Sequence, residues 1–131
     1  SLRRRQRQMC IRDRAVGIPE SVTCSVIDRI ILSLEKVSRL DFVEIRTTYV
    51  PGILSIDNIM TIAEQLEPYL KRDRHYYVIQ QFIPNRNAPD PMFRTGKVVE
   101  LSKLMDIARR VARILPNVVV RHIGGVEYVN V

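Results

Sequence analysis

The polar residues that could do chemistry in this chain stand inside segments that are rich in β-branched and aromatic residues. Arg46 interrupts the segment VEIRTTY, and His122 ends the segment VVVRH. Gln80 and Gln81 are adjacent in the segment VIQQFI. A guanidinium group binds carboxylates and phosphates through paired N–H bonds, and amide and imidazole groups bond the polar edge of a ligand. These four residues are the candidate ligand-binding residues of the chain.

Arg46 has two interpretations. Glu44, Arg46 and Thr48 share one face of an extended segment, because side chains alternate along a strand. A charged group inside a sheet needs a partner, since an unpaired buried charge is costly. That partner would be a nearby carboxylate, such as Glu44 or Asp41, or the anion of a bound ligand. The sequence pattern by itself favours the salt bridge.

The two glutamines and the histidine also have structural interpretations. Gln80 and Gln81 cannot both face the same side of a strand, because adjacent side chains point to opposite faces. Buried amides need partners, which would be neighbouring side chains, loop backbone or a ligand. The sequence favours none of these. His122 is expected at the end of the last strand, where a single histidine is more often structural than catalytic.

The residue content excludes several kinds of site. Cys10 and Cys24 are fourteen positions apart and the chain has no other cysteine. It therefore lacks the ligands of a zinc knuckle or a complete iron–sulfur cluster. No HExxH segment is present, and Gly124-Gly125 is not followed by a clear helical pattern, so a phosphate-binding loop is only weakly indicated. We expect no metal ligand and no catalytic residue within the chain.

The elements that must position these residues alternate between two periodicities. Apolar residues recur every three or four positions in three predicted helical segments, at residues 20–38, 56–70 and 101–115. Segments rich in β-branched and aromatic residues predict strands at residues 41–50, 75–83 and 117–123. The order α-β-α-β-α-β predicts an α/β fold with parallel strands, covered on both faces, in an open sheet or a barrel.

Loop lengths indicate which edge of this sheet carries a site. The links from helix to strand are short, whereas the links from strand to helix are longer, most of all at residues 84–97. Ligands of parallel α/β folds bind at the carboxyl ends of the strands. The functional edge is therefore expected at residues 47–52, 80–97 and 121–125.

The net charge of +7 is concentrated at the amino terminus. The tract SLRRRQRQMCIRDR contributes +5, so residues 15–131 carry only +2. One interpretation is a stand-alone α/β binding domain whose basic arm binds nucleic acid, although the rest of the chain has no basic stripe or recognition motif. The tract also resembles translated adapter sequence found before unrelated reading frames. Residues 1–14 would then be a foreign head on a domain formed by residues 15–131.

Neither a membrane nor a secretory route is indicated by the sequence. The amino terminus has no apolar segment of the kind that secretory signals contain, and no apolar run is long enough to span a bilayer. We expect a cytoplasmic protein with no membrane partner, and we do not expect nucleic acid as its principal partner.

Three segments of the chain resemble one enzyme family. They are EIRTTYVPG at residues 44–52, YVIQQFIPN at residues 77–85 and VVVRH at residues 118–122. Similar RTT-x-VPG, LQQF-x-P and V-x-VR segments occur in the radical S-adenosylmethionine (radical SAM) activases of glycyl-radical enzymes. The activating proteins of anaerobic ribonucleotide reductase are the nearest of these. The resemblance covers residues 22–122.

The resemblance implies a fold, a reaction and a partner. The fold is a partial (β/α)6 TIM-like barrel, of which this chain supplies the C-terminal half. Enzymes of the family bind a [4Fe–4S] cluster through a CxxxCxxC loop and reductively cleave SAM. The resulting radical removes hydrogen from a glycine of a partner glycyl-radical enzyme. Because the CxxxCxxC loop is absent here, the resemblance implies a fragment of an oxidoreductase that is inactive alone.

The resemblance also implies roles for the four candidate residues. Arg46 matches a strand arginine that lies near the methionine carboxylate of SAM in related activases. Gln80 and Gln81 match the strand that lines the adenosine side. His122 is placed near the cofactor by its position only.

Overall fold

The computed structural model describes residues 24–129, with side chains from residue 28 onward. Three α-helices, a short 3₁₀ helix and four strands follow one another in this part of the chain. They are α1 (Cys24–Val37), β1 (Val43–Tyr49), α2 (Ile56–Leu66), β2 (His75–Gln81), the 3₁₀ helix (Pro91–Phe93), α3 (Leu101–Val111), β3 (Val118–His122) and β4 (Gly125–Tyr128). The basic tract at residues 1–14 and the predicted start of the first helix lie outside the described residues.

The first three strands form the parallel α/β arrangement that the sequence predicts. The strand order in the sheet is β1-β2-β3-β4. β1 pairs with β2 in parallel, with Arg46 opposite Val78, and β2 pairs with β3 in parallel, with Gln80 opposite Arg121. Parallel neighbours need a crossover connection, which α2 and α3 provide here. The mixed α/β class is therefore confirmed.

The fourth strand departs from the expectation of parallel strands throughout. β4 runs antiparallel to β3, with His122 opposite Gly125. The chain reverses through Ile123 and Gly124, and Gly125 has a φ of 140°, a conformation that glycine adopts without steric cost. The two glycines thus close a tight hairpin that extends the sheet by one short strand.

One face of the sheet packs against all three helices and forms the core. The strand residues of this core include Val43, Tyr77, Ile79, Val118 and Val120. The helix residues of the core are Leu34 from α1, Ile59, Ile62, Ala63 and Leu66 from α2, and Leu104, Ile107, Ala108 and Val111 from α3. The apolar residues that recur every three or four positions in the sequence are therefore the residues that these helices bury.

The opposite face of the sheet is not covered by a helix within residues 24–129. We call this surface the open face, and it consists of Glu44, Arg46 and Thr48 of β1, Tyr76, Val78 and Gln80 of β2, Val119 and Arg121 of β3, and Val126 and Tyr128 of β4. The prediction that both faces are covered is wrong for the described residues, because α1, α2 and α3 all pack on the other face. The half-barrel arrangement stays a prediction.

Local sequence sets the ends of α2. Ser55 is the N-cap, since its hydroxyl accepts from the backbone N–H of Asn58 while the Asn58 side chain accepts from the N–H of Ser55. The predicted apolar stripe continues to Leu70, but the helix ends at Leu66. Pro68 explains the earlier end, because proline lacks the N–H that would continue the helical hydrogen bonds. Leu70 is still buried, as part of the turn that follows.

Two side-chain hydrogen bonds tie loops to the amino-terminal ends of the strands. His75 is buried, and its Nε2 donates to the carbonyl oxygen of Leu40 at 2.6 Å. Asn117 donates from Nδ2 to the carbonyl oxygen of Asp73 at 2.8 Å. Both side chains hold loops against this edge, which is opposite to the predicted functional edge. No helix among residues 24–129 has the length and apolar content needed to cross a membrane.

Candidate functional site

Polar side chains occupy the open face near the carboxyl ends of the parallel strands. Thr48, Gln80 and Arg121 are cross-strand neighbours in one row. The row beneath it contains Arg46 and the buried Val78. Register therefore brings Arg46 and Gln80 to one surface, as a shared ligand site requires. This surface is at the edge where parallel α/β folds bind their ligands.

A single carboxylate joins the two arginines of the open face. Arg46 donates from Nε to Oε1 of Glu44 at 2.8 Å, and Arg121 donates from Nη2 to the same oxygen at 3.2 Å. The Glu44 side chain is 19% exposed, whereas those of Arg46 and Arg121 are 49% and 38% exposed. The predicted salt bridge between Arg46 and Glu44 is confirmed. Asp41, the other predicted partner, lies 3.4 Å from Arg72 instead.

A shallow cavity of about 170 Å³ opens on the same face. It is lined by Phe42, Glu44, Tyr76, Val78, Val119, Arg121, Val126 and Tyr128. Complete small-molecule sites typically have volumes of about 300–1,000 Å³. The cavity therefore suits one part of a larger ligand, with aromatic and aliphatic walls and an ion pair at its side.

The adjacent glutamines lie on opposite faces, as their spacing predicts, and only one of them is committed to backbone. Gln81 donates from Nε2 to the carbonyl oxygen of Val99 at 2.6 Å and accepts at Oε1 from the N–H of Ile123 at 2.9 Å. The side chain of Gln80 makes no hydrogen bond to the described residues. The interpretation that these glutamines bond loop backbone is therefore confirmed for Gln81. The amide of Gln80 remains available to a ligand on the open face.

His122 is held within the hairpin that joins β3 to β4. Its Nδ1 accepts from the N–H of Gly124 at 3.1 Å, and its Nε2 lies 3.4 Å from Oε1 of Glu127. Its place in β3 puts it on the same side as the core residues Val118 and Val120. The structure thus separates His122 and Gln81 from Arg46 and Gln80.

Arg121 falls within the functional edge predicted at residues 121–125, but the sequence does not single it out as a candidate site residue. Its segment VVVRH and its place at the carboxyl end of a predicted strand were both visible. The hydrogen bond from Arg121 to Glu44 could not be predicted from the sequence, because β2 lies between the strands of the two residues. Only the register of all three strands brings these two residues together.

The part of the chain that the structure describes does not present a set of metal ligands. Residues 24–129 contain no group of three or more histidine, cysteine, aspartate or glutamate side chains arranged to hold a metal ion. The sequence contains only Cys10 and Cys24 as thiol ligands. A [4Fe–4S] cluster normally takes four cysteine thiolates.

The chain is similar to a curated protein whose name states an enzymatic function. It is 33% identical over 84 residues to a protein of Methanocaldococcus jannaschii named as a glycyl-radical enzyme activating enzyme. The matched segment covers 64% of this chain and 32% of that relative. The chain therefore spans about a third of the relative's length. No protein-family model and no solved structure matches the chain.

Proposed function

We propose that this chain is the C-terminal part of a radical SAM activating enzyme, which forms a glycyl radical on a partner enzyme. The observation that carries the proposal is the 33% identity to the glycyl-radical enzyme activating enzyme of M. jannaschii. The strand segments EIRTTYVPG, YVIQQFIPN and VVVRH support it by their resemblance to the same family. Because the match covers 32% of that relative, the activity would belong to a longer protein and this chain would be inactive alone.

The one-sided packing of the sheet supports a place in a barrel wall. In a (β/α) barrel the helices form an outer layer and the other face of each strand points to the interior. Here α1, α2 and α3 pack on one face of the sheet. The open face would then be part of the inner wall. Its polar row lies at the carboxyl ends of the strands, where barrel enzymes bind their substrates.

The open face fits part of a SAM molecule. Arg46 is half-exposed and would bind the methionine carboxylate, for which a guanidinium fork is suited. Gln80 lies on β2, the strand next to that of Arg46, two residues beyond Val78. Its free amide would face the adenosine. Gln81 and His122 would shape the rim of the site, since their polar atoms contact loop backbone and Glu127.

The residues of this chain do not fit a [4Fe–4S] cluster, so its ligands would come from the remainder of the longer protein. SAM and the cluster together supply the radical chemistry in this family. What this chain contributes is part of the wall that orients SAM. The partner would be a glycyl-radical enzyme, and the resemblance makes anaerobic ribonucleotide reductase the first candidate.

The proposal is tested on the full-length protein that contains this chain. After anaerobic cluster reconstitution, the protein is mixed with SAM and a reductant, and 5′-deoxyadenosine is measured by chromatography. We expect reductive cleavage of SAM. We also expect Arg46→Ala to weaken SAM binding about tenfold or more, because a hydrogen bond to a charged group contributes about 1.5–3 kcal/mol.

Arg109→Ala is the matched control for this variant. Arg109 is an exposed arginine on α3 that pairs with Asp106 at 3.0 Å, far from the open face in the fold. Its loss should leave SAM binding unchanged. The proposed function would be refuted by a well-folded, cluster-loaded protein that does not cleave SAM. Equal SAM affinity in the Arg46→Ala variant and the wild type would remove Arg46 from the site.

A further inference from the structure

Arg121 reaches Glu44 from two strands away. Arg121 lies on β3 and Glu44 on β1, so the arginine side chain spans β2 on the open face to donate to Oε1 at 3.2 Å. Val78 of β2 is only 1% exposed although no described helix covers its side of the sheet. Long side chains that cross an apolar surface bury it with their methylene groups. Arg121 is therefore held in one place by packing as well as by its ion pair.

Both guanidinium groups keep most of their hydrogen-bonding capacity. Arg46 and Arg121 each direct one of their five N–H donors at the same oxygen of Glu44 and make no other hydrogen bond to the described residues. Since both donate to one atom, the two groups lie next to each other. Two cations and one carboxylate give this cluster a net charge of +1.

Adjacent, partly exposed arginines with one shared counter-ion are suited to bind an anion. Bringing two like charges together is unfavourable, and one carboxylate neutralises only half of the pair. A second anion between the two groups would neutralise the remainder through charge-assisted hydrogen bonds. Arg121 and Glu44 line the cavity of the open face, and the side chains of Arg46 and Arg121 are both partly exposed, so an anion can approach the two guanidinium groups from solvent.

We propose that Arg121 is a second anion-binding residue, which acts with Arg46 as a two-arginine site for the carboxylate of a ligand, while Glu44 holds both arginines in position. The identity of the ligand as SAM rests on the proposed function, but the two-arginine site does not. A planar carboxylate has two oxygens, which can accept hydrogen bonds from the guanidinium groups of Arg46 and Arg121. An inorganic phosphate shares this chemistry, so the test must separate the two anions.

The test observes the arginine Nε–Hε signals of the isotopically labelled full-length protein that contains this chain by NMR. Single variants Arg46→Gln and Arg121→Gln assign the two signals. The protein is titrated with SAM, with L-methionine, with L-methioninol, which lacks the carboxylate, and with inorganic phosphate. We expect SAM and L-methionine to shift both signals and L-methioninol to shift neither. Arg121→Gln should lower the affinity for SAM about tenfold.

Two further variants serve as controls. Arg121→Lys keeps the charge but loses the planar fork, so its affinity should lie between those of the wild type and Arg121→Gln. Arg110→Gln removes an exposed arginine of α3 and should change nothing. Circular dichroism checks that each variant is folded. The Arg121 signal is assigned by its absence in both Arg121→Gln and Arg121→Lys, and once both arginines are assigned the titrations are read in the wild type.

Each outcome is decisive for the two-arginine site. A shift of the Arg46 signal alone would remove Arg121 and leave the proposed function standing. Shifts of both signals with phosphate but not with L-methionine would overturn the carboxylate as ligand. An absence of shifts at Arg121 with every anion would overturn the site altogether. Failure of the proposed function is read separately, as an absence of SAM cleavage by the full-length protein.

Discussion

Among the described residues, Tyr77 has the largest side chain that is completely buried, and this side chain is titratable. It lies in the middle of β2 among apolar core residues. Burial disfavours the charged phenolate, and this raises the pKa of Tyr77 from 10.0 to about 12. Because the pKa of Tyr77 is higher in the folded chain than in the unfolded chain, the free energy of unfolding depends on pH in the alkaline range.

We predict that stability falls as the pH rises between the two pKa values of Tyr77. In that range the unfolded chain loses the phenolic proton while the folded chain retains it, which favours unfolding. The free energy of unfolding should drop by about 1.4 kcal/mol per pH unit between about pH 10 and about pH 12. Urea denaturation at a series of alkaline pH values measures this slope.

Tyr77→Phe is the control for the alkaline slope. The variant removes the hydroxyl and leaves the other tyrosines and lysines in place, so its stability should fall less steeply over the same range. The difference between the two slopes isolates Tyr77. Identical slopes in the wild type and the variant would show that the buried tyrosine titrates normally.

Arg46 shows that two interpretations of one residue can hold together. Its predicted salt bridge with Glu44 is present at 2.8 Å. The salt bridge uses only Nε of Arg46, and about half of the side chain remains exposed on the open face. A structural ion pair thus fixes the guanidinium group without occupying the donors that a ligand would need.

At the scale of elements, Gln81 connects three segments at the carboxyl edge. Its amide bonds Val99, which precedes α3, and Ile123 in the hairpin between β3 and β4. Gln81 itself ends β2. This side chain therefore fixes the position of the hairpin turn and of the chain entering α3, relative to the sheet. Gln80 has no comparable contact with the described residues.

We predict that Gln81→Ala loosens both segments. The loss leaves the carbonyl of Val99 and the N–H of Ile123 without their partner, and should lower the free energy of unfolding by about 1–3 kcal/mol. The amide hydrogen of Ile123 should exchange faster with solvent. Hydrogen exchange followed by NMR measures this, and urea denaturation measures the stability.

Gln80→Ala is the matched control at the adjacent position. It should change stability by no more than about 0.5 kcal/mol, as is usual for substitutions that break no buried contact. It should also leave exchange at Ile123 unchanged. The proposed connection would be refuted by equal effects of the two substitutions, or by normal exchange at Ile123 in the Gln81→Ala variant.

The order of the elements could be predicted from the sequence, whereas the contacts between them could not. The switch between helical and strand periodicity predicts each helix and each parallel strand, and Ser55 is a recognisable cap. The bond from Arg121 to Glu44 depends on the register of three strands, which no local pattern specifies. The same holds for the division of roles between Gln80 and Gln81.

Whether a fourth strand follows Gly124 could not be decided from the sequence, for a different reason. β4 has only four residues and all of them are exposed, so the alternation of Val126, Glu127 and Tyr128 is too short to identify a strand. Its signal is the glycine pair Gly124-Gly125, which permits a tight reversal. Sequence analysis noted that pair as a weak phosphate loop, and the structure shows it as a hairpin turn.

At the scale of the whole molecule, the account rests on the two unlike faces of the sheet. One face is filled by the apolar side chains of three helices. The other has an ion-pair cluster, a free amide and a cavity of about 170 Å³. If the open face is the inner wall of a SAM-binding barrel, a bound ligand must contact that face and leave the core undisturbed.

Valine methyl signals of the full-length protein test this claim most directly. Val78 and Val119 lie on the open face, whereas Val118 and Val120, the neighbours of Val119 in β3, lie in the core. In a methyl-labelled sample titrated with SAM, we predict chemical-shift changes at Val78 and Val119, with little change at Val118 and Val120. Binding of SAM that leaves Val78 and Val119 unperturbed would contradict the account.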